Sequence, residues 1–168
     1  ADNEDNNLAI GYDALGGAVN GGERNVAIGN ETLDALTSGD NNIAIGYQAG
    51  SAITTGGQNV LMGVVAGNAL TDGPWNVGIG YGAMRYATTG DYNVALGGAA
   101  LGGGVLTGDR NIGIGYTAGG ALTSGSDNIF IGYEAGDGHD AEGNNIGIGR
   151  AALGGSIAGG EYNVAIGS

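Results

Sequence analysis

Cysteine and lysine are absent from this chain, and histidine, proline, tryptophan and phenylalanine each occur once (His139, Pro74, Trp75, Phe130). Each shortage excludes something. Without cysteine there is no disulfide, no thiol nucleophile and no thiolate metal ligand. The redox compartment stays open, because a long hydrogen-bond ladder can make disulfides unnecessary. Four arginines (Arg24, Arg85, Arg110, Arg150) stand against 17 acids, for a net charge of -13. So little positive charge leaves no basic face to neutralise phosphates or to settle on anionic lipid, which excludes nucleic acid and membrane-surface partners of that kind. The excess of acid favours solubility and mutual repulsion of exposed surfaces. No run approaches the roughly 18 apolar residues of a membrane span, so membrane insertion is not expected. The chain opens on Ala1 with no visible signal peptide, as expected of a processed or shortened polypeptide.

Glycine is in excess instead, at 40 of 168 residues, about three times ordinary usage. It does not recur every third residue, so a collagen helix is excluded. An α-helical reading is also poor, since each interior Gly costs about 1 kcal/mol relative to Ala and no 3.6-residue stripe persists. Hydrophobic residues still make up 42 % of the chain, too many for a disordered tract.

The order lies in a repeat. Asn, a large aliphatic, usually a small residue, a second large aliphatic and Gly return ten times, from Asn7, Asn25, Asn42, Asn59, Asn76, Asn93, Asn111, Asn128, Asn145 and Asn163. Successive spacings are 17 or 18 residues. A near-constant period of this size marks one supersecondary unit per repeat, stacked on its neighbours. The expected architecture is all-β: a parallel β-solenoid or β-roll of about ten coils, forming a single domain over 1–168, with residues 1–6 and 163–168 as incomplete first and last coils.

Within a coil, alternating aliphatics between Asn and Gly predict a short strand with one buried face. The natural expectation puts the large residues of the second and fourth positions (Val26 and Ile28, Ile43 and Ile45, and so on) inside as two ladders, with the third position facing out. Gly at the fifth position of all ten coils implies a positive φ or close neighbour packing. The Asn column is expected to stack its amides rung on rung. Ala at the eighth position of eight of the nine full coils points to a tight buried column. The second half, as in Leu36-Thr37-Ser38-Gly39-Asp40, reads as a second short strand ending in a turn. The 18-residue repeats each carry Gly-Gly there (Gly16-Gly17, Gly102-Gly103, Gly154-Gly155), so the extra residue belongs in a loop or bulge.

The units N-V-A-I-G, N-N-I-A-I-G-Y-Q-A-G and T-T-G-D-Y-N-V-A-L-G resemble head repeats of trimeric autotransporter adhesins and similar repeats of phage tail fibres, over 7–168. The resemblance implies left-handed parallel β-rolls, three chains side by side, and attachment to a surface. The 17–18-residue period is longer than the usual coil of those heads.

Motifs that could carry chemistry have plainer readings. Gly78-Ile79-Gly80-Tyr81-Gly82-Ala83, Gly113-Ile114-Gly115-Tyr116-Thr117-Ala118 and Gly147-Ile148-Gly149-Arg150-Ala151-Ala152 fit G-x-G-x-x-A, which binds dinucleotides only when a helix follows; none is expected. Glu134, Asp137, His139, Asp140 and Glu142 form the densest ionisable cluster and could offer oxygen ligands to calcium, but they read as a solvated loop. Asp40, Asp91, Asp109 and Glu161 read as turn residues, although paired carboxylates could also serve glycosidase chemistry. The column Thr37, Thr54, Thr71, Thr88 and Thr123 raises ice binding, against ordinary strand chemistry. Tyr12, Tyr47, Tyr81, Tyr116 and Tyr133 share a column that could line an adhesive face or seal a gap between chains. Asn30-Glu31-Thr32 is a lone glycosylation triplet.

No catalytic, cofactor-binding or metal residue is assigned, and no cofactor. The expected role is a non-enzymatic fibre subunit, extracellular, at a cell surface or in a virion, whose partners are copies of itself stacked head to tail, side by side in threes, or both. An adhesin or tail-fibre module that binds a host surface or glycan is the alternative, and an ice-binding solenoid a minor one.

Overall fold

The structure, a computed structural model, describes residues 6–138, 140–155 and 160–168. Ten strands follow one another: β1 (Leu8–Ile10), β2 (Val26–Ile28), β3 (Ile43–Ile45), β4 (Val60–Met62), β5 (Val77–Ile79), β6 (Val94–Leu96), β7 (Ile112–Ile114), β8 (Ile129–Ile131), β9 (Ile146–Ile148) and β10 (Val164–Ile166). They form one parallel sheet in sequence order. Each strand pairs with the next at matching positions, so that Val26 sits beside Ile43 and Ile28 beside Ile45. At about 4.8 Å per rung, nine steps span about 43 Å. The protein is a parallel β-solenoid with one strand per coil.

The burial of the strand is the reverse of the expected one. Third-position residues line the interior: Ala27, Ala44, Leu61, Ala95 and Phe130 have no exposed surface. The large aliphatics of the second and fourth positions face outward in every coil. The phase is set by asparagine. Asn25, Asn59, Asn76, Asn93, Asn111, Asn128 and Asn145 are completely buried. Side chains alternate along a strand, so an inward first position places the third inside and the second and fourth outside.

The amide ladder itself matches expectation. Asn42 donates its backbone N–H (2.9 Å) and Nδ2 (3.1 Å) to Oδ1 of Asn25, while Nδ2 also donates to the Gly56 carbonyl (2.9 Å). The pattern recurs at Asn59, Asn111 and Asn128. Only an amide both accepts from one neighbouring rung and donates to another, so aspartate or leucine would break the series. Fifth-position Gly satisfies both expectations at once. Gly29 has φ +133°, and a Cβ there would lie 2.6 Å from the Gly46 carbonyl oxygen.

Among the described residues the second half forms no strand; turns and bends take its place. Single rung-to-rung bonds remain, such as Thr37 N–H to the Thr54 carbonyl (2.9 Å). Such isolated bonds do not make a ladder, even where Ser38 N–H shares the Thr54 carbonyl (3.2 Å). The aliphatics there (Leu36, Ile53, Leu70, Leu106, Leu122) fill the core, together with the buried Ala column of Ala49, Ala66, Ala83, Ala100, Ala118 and Ala135. In the coils starting at Asn7 and Asn93 the extra residue lies in the connecting loop and leaves strand register unbroken. The corresponding loop after Asn145 lies partly outside the described residues.

Large core side chains occur where glycines of the same or neighbouring coils leave room. A Cβ on Gly50, Gly67 or Gly78 would stand within 3.1 Å of Leu61, and one on Gly119 within 3.0 Å of Phe130. The coils are therefore not interchangeable.

Candidate functional site

The outward face of the sheet is the main unsatisfied surface of the described residues. Twenty aliphatic side chains, two per strand, stand on it, and none is fully buried. Ile10 is 54 % exposed, and Ile43 and Ile79 each 39 %. No strand position in any coil carries a charge. With the tyrosine column beside it, the face measures about 43 Å by 13 Å, on the order of 550 Å². Such an area stands near the top of what monomers leave exposed, and approaches one partner's share of a standard interface.

One edge of the face is lined by Tyr12, Tyr47, Tyr81, Tyr116 and Tyr133, all exposed. The other edge is the turn before Asn, where Arg24, Asn41, Gln58, Trp75, Tyr92, Arg110 and Asp127 occupy successive left-handed positions (φ 55–63°). Trp75 and Tyr92 stack there, with centroids 6.2 Å apart and planes 2° apart. Arg110 holds Asp127 by two hydrogen bonds (2.7 and 2.9 Å), which keep that carboxyl below its usual range.

The acids before this edge are turn residues, as expected. Asp40 accepts the N–H of Glu23 (2.8 Å), and Asp109 that of Asp91 (3.0 Å). Asp91 faces Pro74 in the preceding coil, and Pro74 has no N–H to give. Burial and then the Asp109 charge push the Asp91 carboxyl above its ordinary range. A carboxyl raised in the folded state costs stability at neutral pH, and the cost fades as pH falls through its folded pKa. Replacing Pro74 by Ala is expected to bring the Asp91 pKa down, as read by NMR titration of its carboxyl carbon. Asp91→Asn should stabilise the rod by a few tenths of a kcal/mol at neutral pH, with no gain in acid.

Four of the five threonines of the column, Thr37, Thr54, Thr71 and Thr123, donate their hydroxyls internally. Thr37 donates to the Thr54 carbonyl (2.9 Å), Thr71 to that of Thr88 (3.2 Å) and Thr123 to that of Asp140 (2.6 Å). Thr54 and Thr55 both donate to Asp72 Oδ1 (2.8 and 2.7 Å) and lower its pKa. That contribution to stability is present above the ordinary carboxylate range and is lost as pH falls through the lowered value.

Of the acidic cluster, His139 lies outside the described residues. Glu142 is buried and accepts the N–H groups of Asp140 and Ala141 (3.3 Å each), which ties it to its own loop. Among the described residues no group of three His, Cys, Asp or Glu is placed to hold a metal ion. The three G-x-G-x-x-A segments run from a strand into turns, and no helix occurs among the described residues. Within Asn30-Glu31-Thr32, Thr32 is buried and donates to the Gly46 carbonyl (2.8 Å). The outward face was missed by size-based reading of the strand; the signal that could have found it was the constant Asn two positions before the small residue.

Compared with known proteins, the chain matches no family model, no curated protein and no solved structure. The fold by itself defines a β-solenoid repeat protein.

Proposed function

We propose that this chain is a non-enzymatic structural rod that assembles with copies of itself through the outward face of its sheet, as part of an extracellular or virion fibre. The supporting observation is the uncharged aliphatic face in a chain whose 17 acids all lie elsewhere. A second copy fits it best because both surfaces repeat at the same rung spacing, so the ridges of one ladder enter the grooves of the other. Three copies around a common axis is the number the sequence resemblance favours. Addition of rungs at β1 and β10, by neighbouring molecules or by further coils of a longer chain, lengthens such a rod without changing its section. Attachment to a surface or glycan is the alternative role for the same assembly.

Net charge opposes association, so assembly is expected to strengthen with salt. Light scattering of the purified protein should give a mass of several chains at moderate salt. Ile79→Asp combined with Ile114→Asp should leave single chains, weakening association roughly a hundredfold at about 1.5 kcal/mol per aliphatic side chain. A single-chain mass for the unaltered protein at high concentration and high salt would overturn the reading.

A further inference from the structure

The tyrosine column alternates through its first half, running Tyr12, Asn30, Tyr47, Val64, Tyr81, Gly98. Only at Tyr116 and Tyr133 do consecutive coils both carry the ring. These two rings stack with centroids 5.5 Å apart and planes 19° apart. Both are open to solvent, at 55 % and 45 % exposure. The backbone on either side is fixed rung to rung: Gly132 N–H donates to the Ile114 carbonyl (2.8 Å) and Glu134 N–H to the Tyr116 carbonyl (2.9 Å). On the next coil the Arg150 guanidinium stands 5.6 Å from the Tyr133 ring. On the preceding coil Gly98 leaves room for Tyr116, whose Cδ2 would be 3.3 Å from a Cβ at that position. The Glu134 carboxylate next to Tyr133 holds the phenol above its ordinary range.

We propose that Tyr116 and Tyr133 are a site of oxidative cross-linking, where hydrogen peroxide used by a haem peroxidase joins the two rings as an intrachain dityrosine. Each phenol loses one electron to the oxidant and its hydroxyl proton, that of Tyr133 to Glu134 and that of Tyr116 to water. The two phenoxyl radicals couple through ring carbons ortho to oxygen, forming one C–C bond. Each ortho hydrogen then shifts to its oxygen through water, restoring both phenols. Two tyrosines and one hydrogen peroxide give one dityrosine and two waters. The bond ties the seventh coil to the eighth and closes a loop of 17 residues (133 − 116).

The test is to treat the dilute full-length chain with a haem peroxidase and hydrogen peroxide, isolate the monomer band from a denaturing gel, and digest it with a protease that cuts before aspartate. Cleavage before Asp109, Asp127 and Asp137 separates peptides 109–126 and 127–136 in the untreated chain. After treatment they should remain joined, two hydrogens lighter than their sum, with dityrosine fluorescence. Tyr116→Phe and Tyr133→Phe keep the stacked rings, and each should abolish the link. Mixing the chain with a nitrogen-15-labelled copy before oxidation, and digesting the whole product without gel separation, distinguishes the source, because an intrachain link never mixes labels. Free peptides after treatment, a link that survives either Phe variant, or mixed labels would each overturn the proposal.

Discussion

Replacing Asn111 by leucine is expected to destabilise the rod by about 3–5 kcal/mol, although the two side chains are close in volume. Asn111 donates from Nδ2 to Asn93 Oδ1 (3.1 Å) and to the Gly125 carbonyl (2.9 Å). Its own Oδ1 accepts the backbone N–H and the Nδ2 of Asn128, both at 3.0 Å. The leucine variant strands the Asn128 N–H and the Gly125 carbonyl away from water, at about 1–3 kcal/mol each, and removes two further bonds. Urea unfolding followed by circular dichroism reads the loss as a lower midpoint. Asn111→Asp separates shape from donor chemistry. It keeps the acceptor but buries a negative charge against the Asn93 and Gly125 oxygens. That carboxyl will have a folded pKa raised above its unfolded value, so its cost is full at neutral pH and shrinks as pH falls through the folded value. A leucine variant as stable as the original chain would show that the ladder is incidental to the fold.

The second large effect concerns Gly136 and Phe130. Phe130 is the bulkiest fully buried side chain, and a Cβ at Gly136 would overlap its ring. Gly136 also has φ +64°, where an L-residue costs about 1 kcal/mol. Gly136→Ala is therefore expected to cost about 3 kcal/mol, from overpacking and backbone strain together. Phe130→Ala should cost about 3–5 kcal/mol by leaving a cavity. In the double variant the methyl enters the emptied space. The Gly136 change should then cost only its backbone share, giving an interaction energy of about 2 kcal/mol in a double-mutant cycle. Additive losses would mean that the ring and the glycine do not compete for one volume.

Much of this architecture was legible in the chain. The period of 17–18 residues required one unit per coil, and the Asn-to-Gly segments marked all ten strands within a residue at each end. The amide ladder, the Ala column and the turn role of Asp40 and Asp109 followed from residue types whose chemistry admits few other arrangements. The second strand did not form, because Thr37 and its equivalents put their hydrogen bonds into isolated bridges and side-chain links instead of a continuous ladder. The tyrosine edge of the face was half legible. Tyrosines in consecutive coils were visible in the repeat, whereas their stacking depended on register and on the space above Gly98.

The sequence by itself determined that the chain is a β-solenoid, how many coils it has, and that asparagine and glycine occupy fixed places in each. These are matters of period and backbone freedom, which are written into every repeat. Only the tertiary structure decided which side of the strand is inside. Alternation along five residues is symmetric until something fixes its phase, and ranking residues by size gave the wrong phase. A narrow coil has room for Ala, Gly and an occasional Leu61 or Phe130 beside a buried amide column, so the Val and Ile ladders go outward. The cost of leaving asparagine amides unpaired exceeds the gain from burying larger aliphatics, and that balance places the apolar face on the surface.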